Sequence, residues 1–88
     1  MNAAPWRLEV TRSAQRDLRR LDPQIQRRVT DALTALAADP STSTGLRTLT
    51  GRPEARLRVG DWRVLLTLQP ERRVVVVLRV LPRGRAYR

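Results

Sequence analysis

Arg73 to Leu81 is a nearly continuous apolar run built around Val74-Val75-Val76-Val77, and no other segment constrains the fold so tightly. A strand apolar on both faces must be buried on both sides, so this run reads as the central strand of a sheet. The rest of the chain has to supply its neighbours and its cover. Trp6-Arg7-Leu8-Glu9-Val10 alternates apolar and polar, as a half-buried strand does. Arg56-Leu57-Arg58-Val59 alternates too, Gly60-Asp61 suits a tight hairpin turn, and Trp62 to Leu68 makes the returning strand. Gln69-Pro70-Glu71-Arg72 then turns into the valine-rich run.

Between the first strand and these hairpins the period changes to helical. Ser13 offers an N-cap for a short helix from Ala14 to about Leu21, with Ala14, Leu18 and Leu21 on one face. Asp22-Pro23 starts a second helix, capping oxygen first and proline at the first helical position. From Pro23 to about Ala38, Ile25, Val29, Ala32, Leu33 and Leu36 keep the helical period, and Asp39-Pro40 ends it. Ser41 to Gly45 is a polar loop. The order is β-α-α-β-β-β, without an internal repeat. The expected class is α+β: an αα-hairpin packed on one face of a small, mainly antiparallel four-stranded sheet, with residues 1–88 as a single domain.

Composition decides which chemistry such a domain can carry. The 88 residues include no cysteine and no histidine, and all eighteen basic residues are arginine. A thiolate nucleophile, a Ser-His triad, a histidine-based ribonuclease mechanism and cysteine or histidine metal sites are thereby excluded. The eight acids are scattered, so neither a metal nor another cofactor is expected. The formal net charge is +10. Residues 1–46 hold seven arginines against five acids, +2, and residues 47–88 hold eleven against three, +8. Codon bias in a GC-rich genome accounts for arginine in place of lysine, but not for its concentration in one half. Such lopsided charge favours nucleic acid, an acidic protein or an anionic membrane as partner. No run is long enough for a transmembrane helix, and Met1 to Pro5 lacks the build of a signal peptide, so the expected location is the cytoplasm, off the membrane.

Period-two geometry gathers the arginines. Arg56 and Arg58 share one strand face and Leu57 and Val59 the other. With the apolar faces under the helices, Arg56, Arg58 and Arg63 project together from the exposed side, and the segment Arg83 to Tyr87 brings Arg83, Arg85 and a phenol nearby. Such a cluster binds phosphates in bidentate fashion and stays charged at any working pH. A solvated basic strand exterior is the plainer reading of any one of these arginines. Trp62 reads as core or hairpin edge, and Tyr87 lies beside Arg85 and Arg88 near the end of the chain.

The ordered set resembles the RelE-type toxins of the RelE/ParE superfamily of bacterial toxin–antitoxin systems. The resemblance runs over nearly the whole chain: an opening strand, the helix with Arg19-Arg20-Leu21-Asp22, a second helix ending near Asp39-Pro40, and Leu49-Thr50-Gly51. It is most specific in Arg56-Leu57-Arg58-Val59-Gly60-Asp61-Trp62-Arg63-Val64-Leu65 and in the closing arginine–tyrosine element from Arg83 to Tyr87. It implies a metal-independent endoribonuclease that cuts messenger RNA, typically on the ribosome, by attack of a 2′-hydroxyl on the adjacent phosphate. It also implies a cognate antitoxin as partner, with operator DNA reached only through that antitoxin. By position, Arg58, Arg63, Arg83 and Tyr87 match the family's catalytic set. Arg56 completes the basic pair, and Arg85 is an extra phosphate-binding cation.

Two departures bear on mechanism. Where the family often has a lysine in the basic pair, this chain has Arg56 and Arg58, and arginine, which stays protonated at any working pH, cannot serve as a base. Many relatives carry a histidine just before the late arginine, where this chain has Pro82. Tyr87 is then the conventional base left, and it needs surrounding arginines to lower its pKa. Two other readings fit the same residues: a sister toxin of this fold that poisons DNA gyrase without cutting RNA, and a catalytically impaired module that binds RNA or antitoxin.

Overall fold

The computed structural model describes residues 5–48 and 51–83. Its elements run β1 (Arg7–Val10), α1 (Arg12–Arg19), α2 (Pro23–Ala38), a 3₁₀ turn (Pro40–Thr42), β2 (Leu46–Thr48), β3 (Glu54–Val59), β4 (Trp62–Gln69) and β5 (Val74–Pro82). The sheet order is β1-β5-β4-β3-β2, with β1 parallel to β5 and every other pair antiparallel. The α+β class and the two helices on one face are as the sequence implies. The sheet has five strands rather than four. The added strand, β2, is three residues long with one apolar side chain, too short to show a period, and it is held by its register against Leu57, Arg56 and Ala55. The valine run is an interior strand, but the middle of the sheet is β4.

One face of the sheet carries the core. Leu57 and Val59 of β3, Val64 and Leu66 of β4, and Val75, Val77 and Val80 of β5 pack with Ala14, Leu21, Val29, Leu33 and Leu36 from the helical layer. The spacing from Val77 to Val80 is three, which a regular strand would place on opposite faces. A β-bulge resolves it: Leu65 pairs with Arg79 and Leu66 with Val77, leaving Leu78 as the extra residue. Truncating a fully buried leucine here, such as Leu33 or Leu57, should cost about 2–5 kcal/mol.

Beyond Val77, β5 outruns β1 and its edge needs other partners. Helix α1 and its cap supply them. Thr11 N–H donates to Val77 O at 3.0 Å and Thr11 Oγ1 to Leu78 O at 3.0 Å. Asp17 then accepts the Val80 N–H at 2.9 Å and a forked pair of bonds from Arg79, 2.8 Å to Nε and 3.2 Å to Nη2. Thr11 Oγ1 also accepts the Ala14 N–H at 3.1 Å, so the N-cap of α1 is Thr11, and Ser13 lies inside the first turn. Thr11 wins because it holds both the helix end and the strand edge. The cap of α2 is Asp22, as expected.

Candidate nucleic-acid interface

Among the described residues, no helix covers the open face of the sheet. There, Gly45 to Thr48, Glu54 to Arg56, Arg58, Arg63, Leu65, Leu66, Leu78 and Arg83 enclose a hollow of about 870 Å³. Its charged lining is five arginines, Arg47, Arg56, Arg58, Arg63 and Arg83, against Glu54. The strand register explains the concentration. Arg47 lies directly opposite Arg56, and Arg58 directly opposite Arg63. The Arg58 N–H is turned away from β4 and donates to Gly45 O at 3.0 Å, so Arg58 and Arg63 form a non-hydrogen-bonded pair, whose side chains stand closer. Like charges directly opposite each other destabilise a sheet. Two such pairs side by side depart from that local rule, and such departures are expected at functional sites.

The individual arginines differ in setting. Arg58 is exposed, Arg56 is half-buried, and Arg63 is only 8% exposed. All three line the hollow, as expected, but Arg63 is buried there rather than exposed. Its strand, β4, has β3 on one side and β5 on the other. Burial lowers the local dielectric, which strengthens the interaction of a guanidinium with any charged neighbour. Arg83 joins from the end of β5. Its N–H donates to Asp61 O at 2.9 Å in the β3–β4 turn, which fixes the chain beside the Arg58–Arg63 end of the hollow.

That turn is itself tightly specified. Gly60 has φ of +58°, and a Cβ placed there would meet Arg28 Nη2 of α2 at 3.1 Å. The sequence gives Gly60-Asp61 as a hairpin signal, and the structure agrees.

Of the site residues expected from sequence, Arg56, Arg58, Arg63 and Arg83 come together, while Arg85 and Tyr87 lie outside the described residues. Sequence reading missed Arg47, Glu54 and Leu78. Arg47 was hidden because β2 is too short to read as a strand; Leu78 faces the hollow only because the bulge places it there. Glu54 extends the alternation of Arg56 and Arg58 by one step back along β3, a signal that was present.

Comparison with known proteins gives the fold a lineage. The family model described as the ParE toxin of type II toxin–antitoxin system, parDE, matches residues 8–87. The chain is similar to the toxin–antitoxin complex RelBE2 from Mycobacterium tuberculosis, with a TM-score of 0.77 and 28% identity over 94% of this chain and 97% of that one. It is also similar to the archaeal RelE–RelB complex from Pyrococcus horikoshii OT3, with a TM-score of 0.78 and 24% identity over 92% and 98% of the two chains. A mutant of the E. coli toxin RelE in the free state shares the fold, with a TM-score of 0.73 and 20% identity over 94% and 88%. No curated protein matches the chain. With four-fifths and more of its length inside the family model, the chain belongs to the ParE toxin family of type II toxin–antitoxin systems, within the RelE/ParE superfamily.

Proposed function

We propose that this toxin is a metal-independent endoribonuclease that cuts messenger RNA, on the ribosome, at a phosphate held in the arginine hollow. The observation that carries the reading is the pairing of Arg58 with Arg63 and of Arg47 with Arg56 on one concave face. Two charge-rich stations along β3 suit successive phosphates of one strand. In the reaction the 2′-oxygen bonds to phosphorus as the 5′-oxygen leaves, giving a cyclic phosphate and a free 5′-hydroxyl. Arg63 and Arg58 stabilise the added negative charge, Arg83 holds the same phosphate from the other side, and Arg56 binds its neighbour. Arginine cannot take the 2′-hydroxyl proton, so Tyr87 or a ribosomal RNA group is assigned as the base, water supplies the proton that the departing 5′-oxygen takes up, and Arg85 is an additional phosphate ligand.

The partner that restrains the toxin is a cognate antitoxin, in keeping with the complexes in which its structural relatives occur. Binding to operator DNA then proceeds only through that antitoxin. A second reading, favoured by the wording of the matching family model, is a ParE-like toxin that inhibits DNA gyrase without cutting RNA.

Inducing the chain in a bacterium and mapping transcript 5′ ends separates the two. New ends inside translated codons, lost on Arg63→Ala, are the expected result. DNA damage with intact transcripts would establish the gyrase reading instead.

A further inference from the structure

Among the described residues, Glu54 is the only acid that lines the arginine hollow. It is exposed and stands on the same face of β3 as Arg56 and Arg58, at spacing two. A carboxylate at that place repels the phosphates that the arginines attract, so its presence calls for a partner of another kind.

An ion pair with a neighbouring arginine would be the plain explanation. Among the described residues, however, the Glu54 carboxylate has neither an ion pair nor a side-chain hydrogen bond. The ion pairs that do form, Arg7 with Glu9 and Arg79 with Asp17, use no residue of the hollow. Both Glu54 oxygens are therefore open to a ligand, and an ionised carboxylate only accepts hydrogen bonds.

The hollow changes character along β3. Four residues beyond Glu54, about 13 Å at the strand rise, Arg58 faces Arg63, with Arg83 at the same end. Glu54 itself faces Thr67, and its diagonal neighbour on β4 is Leu65, a separation that long side chains span. Leu65 and Leu78 are half-buried on the wall of the hollow, Leu78 because the β-bulge places it there. One part of the hollow is thus a cluster of cations, and the other sets one acceptor beside an aliphatic wall. A phosphate uses the first. A flat ring with donors on one edge uses the second.

Bases of single-stranded RNA leave their Watson–Crick edges open to side chains. Guanine presents two adjacent donors there, N1–H and the N2 amino group, which match the two carboxylate oxygens. Adenine and cytosine present one amino group beside an acceptor nitrogen, and uracil one N–H between two carbonyl oxygens. Each of those three sets an acceptor against the carboxylate. A guanidinium from a partner protein has the same fork of donors as guanine, but its charge is repelled by the five arginines around it, whereas guanine is neutral.

We infer that Glu54 is a specificity residue, which reads the Watson–Crick edge of a guanine in the single-stranded RNA whose phosphate lies at Arg58 and Arg63, with the ring against Leu65 and Leu78. The inference rests on the proposed RNA-cutting role of the hollow and names the base it selects.

The test is fluorescence anisotropy with the full chain and short single-stranded RNAs, 2′-O-methylated throughout so that none can be cut. The oligomers are all uridine, or uridine with one central guanosine, inosine, adenosine or cytidine. Wild type should bind the guanosine oligomer about tenfold more tightly than the uridine one. Inosine, which lacks the N2 amino group, should lose most of that gain. Glu54 is exposed and its side chain is unbonded, so Glu54→Gln folds as wild type does. That variant should close the gap between guanosine and uridine while binding every oligomer more tightly, because a negative charge leaves the hollow. Equal wild-type affinity for all five oligomers overturns the inference. So does a guanosine preference that survives Glu54→Gln, a preference for adenosine or cytidine over guanosine, or no binding to any oligomer. None of these readouts depends on cleavage, and mapped transcript ends decide the nuclease reading separately, so either can fail while the other stands.

Discussion

The Asp17 carboxylate accepts three hydrogen bonds at 2.8 to 3.2 Å, two from Arg79 and one from the backbone of Val80. Burial pushes its pKa up. The Arg79 hydrogen bond, the Val80 N–H and the charges of Arg79 and Arg20 outweigh that, and the net result is below the ordinary value of 3.8. A folded-state pKa below the unfolded one contributes stability above about pH 4, and that contribution is lost as pH falls through the lower, folded value. Asp17→Asn should therefore destabilise the protein by about 1–2 kcal/mol at pH 7, and the gap to wild type should shrink below pH 4. Urea unfolding at pH 7 and pH 3 measures both, and a gap that ignores pH would contradict the assignment. None of this was legible in the sequence, because the partners are 62 and 63 residues apart. The clustering of Arg56, Arg58 and Arg63 was legible from strand alternation, and that of Arg83 from its place just after the last strand. The burial of Arg63 was not, since it depends on which strand is central.

At the scale of elements, α1 does two jobs: it covers the core and it completes the edge of β5 where β1 stops. Thr11 is the joint between them, capping Ala14 N–H and donating to Leu78 O. Thr11→Ala should cost about 1–2 kcal/mol, while Thr11→Ser, which keeps the hydroxyl, should recover most of it; equal losses for both would show that the methyl group matters instead. Gly60 joins the hairpin to α2 in a comparable way. Gly60→Ala puts a side chain at φ of +58° and forces Arg28 to move, so a loss of about 1 kcal/mol or more is expected in thermal or urea unfolding. The helices, both hairpin strands and the valine strand announce themselves by period and by turn residues. Strand β2 and the bulge at Leu78 do not: the first is too short for a pattern, and the second is a register shift that only the pairing of β4 with β5 reveals.

For the whole molecule, the arginine-only inventory connects fold to function. The helical layer turns the apolar side of the sheet inward, and the opposite side is left to gather five arginines around one hollow. That arrangement is the basis of the proposed phosphate site, and under that proposal the proton acceptor is Tyr87 or a ribosomal RNA group. Arg83→Lys, which preserves charge but loses the planar fork, should lower cleavage about tenfold or more and leave stability within about 0.5 kcal/mol of wild type. The central claim is tested most directly by adding the purified chain to a defined translation extract and analysing the ends of the messenger RNA. The account predicts fragments carrying a cyclic phosphate and a free 5′-hydroxyl, formed in the presence of a metal chelator that spares the ribosome and absent with Arg63→Ala. Intact message, together with arrested DNA supercoiling when the same protein is added to gyrase, would contradict it.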